Sequence, residues 1–122
     1  MEDTLLDKDA LLAKELGQLL AEHKGMNVVV LDLRGLNTWT DFFIISTVTS
    51  ITHLKGLQRH IKEFTTERDI EIIRRQRKIA SDDEWNLMDL GTMVIHLMTE
   101  KSRTFYDLER LWSGGRAIWR NV

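Results

Sequence analysis

Three carboxylates, Asp32, Asp41 and Asp89, stand at the ends of short apolar runs, where a β-sheet would place them along an edge. Acids that converge at such an edge can hold magnesium for phosphoryl or nucleotidyl transfer. Single acids at strand ends have a second use: they accept hydrogen bonds from nearby backbone amides and fix turns. The Gly-Ser followed by Asp-x-Asp expected of nucleotidyl transfer is missing, which favours the turn role. The histidines are His23, His53, His60 and His96. His53 and His60 are two helical turns apart, too far for the i, i+4 pair that grips one ion, so they read as surface residues. No cysteine is present, which removes disulfides, thiolate metal sites and a cysteine nucleophile. Neither a Gly-x-Ser-x-Gly elbow nor a glycine-rich phosphate cradle occurs. No catalytic residue, metal site or cofactor is therefore expected.

The C-terminal third is dense in another kind of residue. Trp85, Asp89, His96, Arg103, Tyr106, Asp107, Glu109, Arg110 and Trp112 lie close together in the chain. Aromatics and arginine dominate protein-binding hot spots, because they bury much area at low entropic cost. In a strand, Trp85, Leu87 and Asp89 share one face, and Asn86, Met88 and Leu90 the other. The cluster either docks a partner or packs a terminal helix onto a sheet.

The elements that must position these residues follow from periodicity. Leu5, Leu12, Leu16, Leu19 and Leu20 form an apolar stripe predicting a helix over Thr4 to His23. Asn27–Asp32 and Phe42–Ile45 are unbroken apolar runs, expected as strands buried on both faces. Gly35 and Asn37 mark the loop between them. Ser50 stands at an N-cap position before a helix from Ile51 to about Arg68, with Ile51, Leu54, Leu57, Ile61 and Phe64 as its core stripe. Ile70 to Ile73 alternates as a short strand, and Arg74 to Glu84 is a charged loop. Trp85–Leu90 and Met93–Met98 read as an antiparallel hairpin turning at Gly91. Ser102 to Trp112 reads as one helix, with Phe105, Leu108 and either Tyr106 or Trp112 sharing a face. Ser113 to Val122, which contains the pair Gly114-Gly115, reads as a flexible tail. The expected fold is α/β (α+β), a mixed sheet of five strands flanked by helices, with a single domain over 1–112 and a tail over 113–122.

The chain has 122 residues, the size of one domain. Its formal net charge is -2, so it lacks the basic excess of a protein that coats nucleic acid. That sum conceals segregation. The first 24 residues carry six acids against three bases, whereas Arg110–Val122 has three arginines and no acid. No apolar run approaches the ~20 residues of a membrane span, and no secretory signal opens the chain, so a soluble, cytoplasmic protein without membrane contact is expected.

Five segments carry a more specific message: Val29-Val-Leu-Asp-Leu-Arg-Gly35, Thr40-Asp-Phe-Phe-Ile-Ile45, Trp85-Asn-Leu-Met-Asp-Leu-Gly91, Val94-Ile-His-Leu-Met98 and Arg103-Thr-Phe-Tyr-Asp-Leu-Glu-Arg-Leu-Trp112. In this order they resemble the ribosomal silencing factor, or Iojap-like, family over about Leu5 to Trp112. The resemblance implies a sheet related in shape to nucleotidyltransferases without their active-site residues, and a role that is not enzymatic. It implies binding to the large ribosomal subunit through ribosomal protein fourteen, which blocks joining of the small subunit and represses translation under nutrient limitation. It also implies that homodimers occur, and that organelle relatives assist large-subunit assembly. By motif position, Trp85, Leu90, Met98, Arg103 and Tyr106 are expected on the partner-binding face. Asp32, Gly35 and Asp41 are expected to shape the loop between the first two strands. Two departures stand out. The family's Glu-Gly before the motif tryptophan is here Lys78-Ile79, inside the basic run Arg74–Lys78, and the chain continues past the motif's Leu-Trp end. Arg74–Lys78 and the terminal arginines suit a peripheral, salt-sensitive contact with ribosomal RNA. The alternatives are an assembly adaptor, or a magnesium-dependent transferase using Asp32, Asp41 and Asp89.

Overall fold

In the computed structural model, residues 7–36, 40–73 and 84–121 are described. Trp39, the basic run Arg74–Lys78 and the Lys78-Ile79 departure lie outside them. The apolar runs near the start become β1 (Met26–Asp32) and β2 (Phe42–Val48), paired antiparallel with Asp32 opposite Phe42 and Val29 opposite Ile45. Every residue of β2 is buried. β-branched and aromatic side chains filling both sides of a strand require a cover on each face.

Three further strands complete the sheet. β3 (Trp85–Asp89) and β4 (Met93–Thr99) form the expected hairpin, with Trp85 opposite Met98 and Asp89 opposite Val94. β4 runs parallel to β2, from Phe42 opposite Met93 to Val48 opposite Thr99. β5 (Arg116–Asn121) pairs antiparallel with the outer side of β1. The spatial order is β3-β4-β2-β1-β5, a mixed five-stranded sheet.

Two long helices cover one face. α1 (Lys8–Glu22) is capped by Asp7, whose carboxylate accepts from the Ala10 amide at 3.2 Å. α2 (Ile51–Glu67) is capped by Ser50, whose hydroxyl accepts from the His53 amide at 3.0 Å. Leu16 and Leu20 of α1 and Leu57 and Ile61 of α2 pack on Val28, Val30, Phe42, Ile44, Ile95 and Leu97. The alternate residues of the same strands, Val29, Leu31, Phe43, Ile45, Val94 and Met98, form the opposite layer. Two short helices, α3 (Glu100–Tyr106) and α4 (Leu108–Leu111), lie at that layer, where Leu108 is its buried anchor.

Three expectations need correction. The fifth strand is Arg116–Asn121, in the segment read as a flexible tail. Ile118 and Trp119 pack against the α1–α2 layer, and this burial draws the segment onto β1. Conversely, Ile70–Ile73 forms no strand. It makes one isolated bridge, Ile73 N–H to the Asp89 carbonyl at 2.7 Å, while Ile70 and Ile72 seal the edge of the core. An alternating apolar pattern records a buried side, and a single chain crossing the core edge satisfies it without a ladder. Finally, the helix read as continuous from Ser102 to Trp112 is broken at Asp107, which adopts a left-handed conformation (φ 48°) between α3 and α4.

Candidate partner-docking face

The site grows from the thinly covered side of the sheet. Trp85 opens β3 on that side, beside His96 of β4. The Trp85 indole Nε1–H donates to His96 Nδ1 at 3.1 Å. On its outer side the indole meets Tyr106 of α3, with ring centroids 4.5 Å apart and planes inclined by 42°. Tyr106 in turn meets Phe105 edge-on at 5.0 Å. Beneath them Phe43 packs edge-to-face on His96 at 4.4 Å and on Trp112 at 6.0 Å. A connected run of rings thus passes from the sheet interior to solvent, where Tyr106 is about half exposed and Phe105 is 78% exposed.

His96 itself is only 2% exposed. Burial disfavours its charged form and pushes its pKa down to about 3. It is therefore neutral at physiological pH, and Nδ1 stays free to accept.

Arg103 is fixed on the same side. Its Nε donates to the Glu109 carboxylate at 3.0 Å, and one terminal nitrogen donates to Thr47 Oγ1 at 3.0 Å and to the Met26 carbonyl at 3.5 Å. The guanidinium joins α3, α4, β2 and the start of β1, which holds the two short helices against the sheet.

Of the five residues expected on a binding face, Trp85, Arg103 and Tyr106 lie at this surface. Leu90 and Met98 do not. Met98 is wholly buried in the layer beneath, opposite Trp85. Leu90 is 9% exposed and belongs to the other layer, under α1 and α2. Phe105, read from the sequence as sharing a helical face with Leu108, is the most exposed aromatic of the cluster. The turn at Asp107 breaks the phase that would have aligned it with Leu108. Leu111 is also largely exposed.

The three acids are not brought together. Alternation directs Asp32 to the α1–α2 side, and Asp41 and Asp89 to the opposite side. The strands bearing Asp32 and Asp89 have two others between them, a separation of roughly 14 Å at the usual strand spacing. Asp32 accepts from the Arg34 amide at 3.0 Å and from its guanidinium at 2.7 and 3.0 Å, with Arg116 at 3.6 Å. The Arg34 hydrogen bonds hold the Asp32 carboxyl below the ordinary carboxylate range. The same guanidinium reaches Asp7 at the start of α1, at 2.9 and 3.1 Å. Gly35, at φ 90°, supplies the left-handed turn after Arg34. The Asp41 backbone accepts from the Leu33 amide at 2.8 Å and donates to the Thr92 carbonyl at 3.0 Å. The Asp89 carboxylate accepts from the Gly91 amide at 2.8 Å and closes the β3–β4 hairpin. Among the described residues no group of three or more His, Asp or Glu is placed to hold a metal ion, and no helix is long and apolar enough to cross a membrane.

Fold and face together define a small mixed α/β domain that displays aromatic side chains beside a thinly covered sheet. A family model described as "Ribosomal silencing factor during starvation" matches residues 7–121. The chain belongs to this family. It is 29% identical over 100 residues to a ribosomal silencing factor of Treponema pallidum, covering 82% of this chain and 88% of that one. It is 31% identical over 98 residues to the mouse protein named for mitochondrial assembly of the ribosomal large subunit, covering 78% of this chain and 42% of that one. A crystal structure of a protein from Chromobacterium violaceum superposes with a TM-score of 0.70 at 27% identity, covering 90% of this chain and 92% of the other. The family match runs through β5, so the terminal strand lies within the family's shared length.

Proposed function

We propose that this protein binds the large ribosomal subunit through ribosomal protein fourteen and keeps the small subunit from joining, damping translation when nutrients are scarce. The action is occupancy without chemistry. The observation that carries the reading is the displayed aromatic run Trp85–Tyr106–Phe105 in a chain of the silencing-factor family. Rigid aromatic anchors concentrate binding energy at the centre of an interface.

The test is co-sedimentation with purified large subunits, paired with a subunit-joining assay. Phe105→Ala and Tyr106→Ala remove exposed rings and should leave the fold intact. Each is expected to weaken binding by roughly 10–100-fold, the range of an interface hot spot, and to relieve joining inhibition in step. A wild-type protein that stays in the supernatant, or variants that inhibit joining as well as wild type, would refute the proposal.

A second reading is favoured by the name of the mouse relative: an adaptor acting while the large subunit is being assembled. It shares the partner and differs in timing. Ribosomal particles from a deletion strain separate the two, since an assembly role predicts accumulated precursors during growth and a silencing role predicts a change only on starvation.

A further inference from the structure

We infer that His96 is a positioning residue for the docking face, holding the Trp85 indole in the orientation presented to the partner. The inference rests on the docking reading above.

An imidazole at this place in the sheet is expensive. His96 projects from β4 into an apolar layer with Val94 and Met98 on either side. Accepting from Trp85 at Nδ1 leaves the proton on Nε2. Nε2 is buried and has no hydrogen-bond partner among the described residues. A buried donor without an acceptor carries a desolvation penalty that an aliphatic side chain would avoid. What histidine supplies and leucine cannot is a single acceptor aimed at the indole.

That acceptor sits where it has leverage. Trp85 is half-buried at the start of an edge strand, with its only polar donor turned inward. Without a partner for Nε1 the ring is free to sample other rotamers. With the bond made, the ring plane is set and Tyr106 packs on its outer side, tilted, at 4.5 Å. Phe43, edge-to-face on His96, fixes the imidazole from below. Orientation thus passes from the sheet through His96 to Trp85 and then to Tyr106. An anchor ordered before binding loses less conformational freedom on docking. The depressed pKa keeps the acceptor available throughout the physiological range.

The experiment compares wild type, His96→Leu and His96→Asn by thermal unfolding, large-subunit co-sedimentation and the Trp85 indole N–H resonance, assigned with Trp85→Phe. His96→Leu is expected to keep or raise the melting temperature, because it removes the orphaned donor. It is expected to bind about fivefold more weakly, the worth of one lost hydrogen bond. His96→Asn offers Oδ1 where Nδ1 stood and should restore binding. The indole proton should move upfield and exchange faster in His96→Leu alone. Wild-type affinity in His96→Leu, or losses of affinity in both variants that merely follow losses of stability, would overturn the inference. If His96→Leu does not fold, an indole proton in wild type that exchanges as fast as a free one overturns it, and a protected one supports it. The indole measurement needs no ribosome. Failure of the wild type to co-sediment therefore removes the docking reading, while the resonance still reports on Trp85 positioning.

Discussion

Burial gives His96 a second consequence, this one for stability in acid. Its folded pKa lies near 3, well below the ordinary histidine value. The unfolded chain therefore takes up the proton first as pH falls. The stability held by the neutral form is complete above about pH 6.5 and drains away on the path to pH 3. Asp32 has the same sign, but its contribution is lost only below the ordinary carboxylate value of 3.8. Among the described residues, His96 alone of the groups with shifted folded-state values acts between pH 6.5 and 4. Chemical denaturation should show a loss of about 2 kcal/mol between pH 7.5 and pH 5, and His96→Asn should remove most of that loss. An unchanged acid loss in His96→Asn would mean that other groups carry it. At this scale the motif spelling pointed to five residues, of which Trp85, Arg103 and Tyr106 reach the surface while two neighbours lie beneath it. Strand alternation already puts Leu90 opposite Trp85 in facing, and the structure buries it under the long helices. Met98 shares the side of Trp85, yet the indole's own strand lies across from it and the layer closes over it. A motif marks residues that matter together and does not separate a binding surface from the packing beneath it.

At the scale of elements, α1, α2, β1, β2 and the β3–β4 hairpin were legible because each has an unambiguous period or a cap. Ser50 and Gly91 mark ends as capping and turn chemistry require, whereas α1, read from Thr4, has its N-cap at Asp7. β5 was not legible. It is a short edge strand behind a glycine pair, and its bulky apolar content is the dipeptide Ile118-Trp119, between Ala117 and Arg120. The register shift opposite Val30–Leu31 lets both of these neighbours pack toward α1, which destroys simple alternation. The groove they fill depends on Gly17. A Cβ there would stand 2.7 Å from Val30 Cγ2 and 3.0 Å from the Trp119 ring. Trp119→Ala is expected to cost roughly 2–3 kcal/mol in urea unfolding, below the full-core range because the ring is half-buried. Gly17→Ala should cost roughly 1–3 kcal/mol through overpacking, and less in the Trp119→Ala background, because the two share one contact. Were residues 116–121 a solvated tail, Trp119→Ala would be neutral within about 0.5 kcal/mol.

For the whole molecule, size bears on the proposed occupancy mechanism. The folded chain has an accessible surface of 7828 Å². A standard specific interface takes about 800 Å² from each partner, roughly a tenth of that. One face can therefore hold the protein to a ribosomal surface while the remaining nine-tenths stands in the way of anything docking over it. Steric exclusion of this kind acts by mass action, one molecule per blocked site. Inhibition of subunit joining should accordingly saturate near one protein per large subunit when subunits are well above Kd. Below that regime, half-inhibition should track the Kd from co-sedimentation. A variant weakened tenfold, such as Tyr106→Ala, should shift the midpoint about tenfold and reach the same plateau, since a bound molecule blocks equally well however briefly it stays. A catalytic modification of the subunit would behave otherwise: it would inhibit at ratios far below one, persist after the protein is washed away, and alter the plateau with time. Titrating joining against protein at two subunit concentrations distinguishes these. In the tight regime, a midpoint near half a protein per subunit at both concentrations supports exclusion, and a midpoint far below that ratio that falls further with time refutes it.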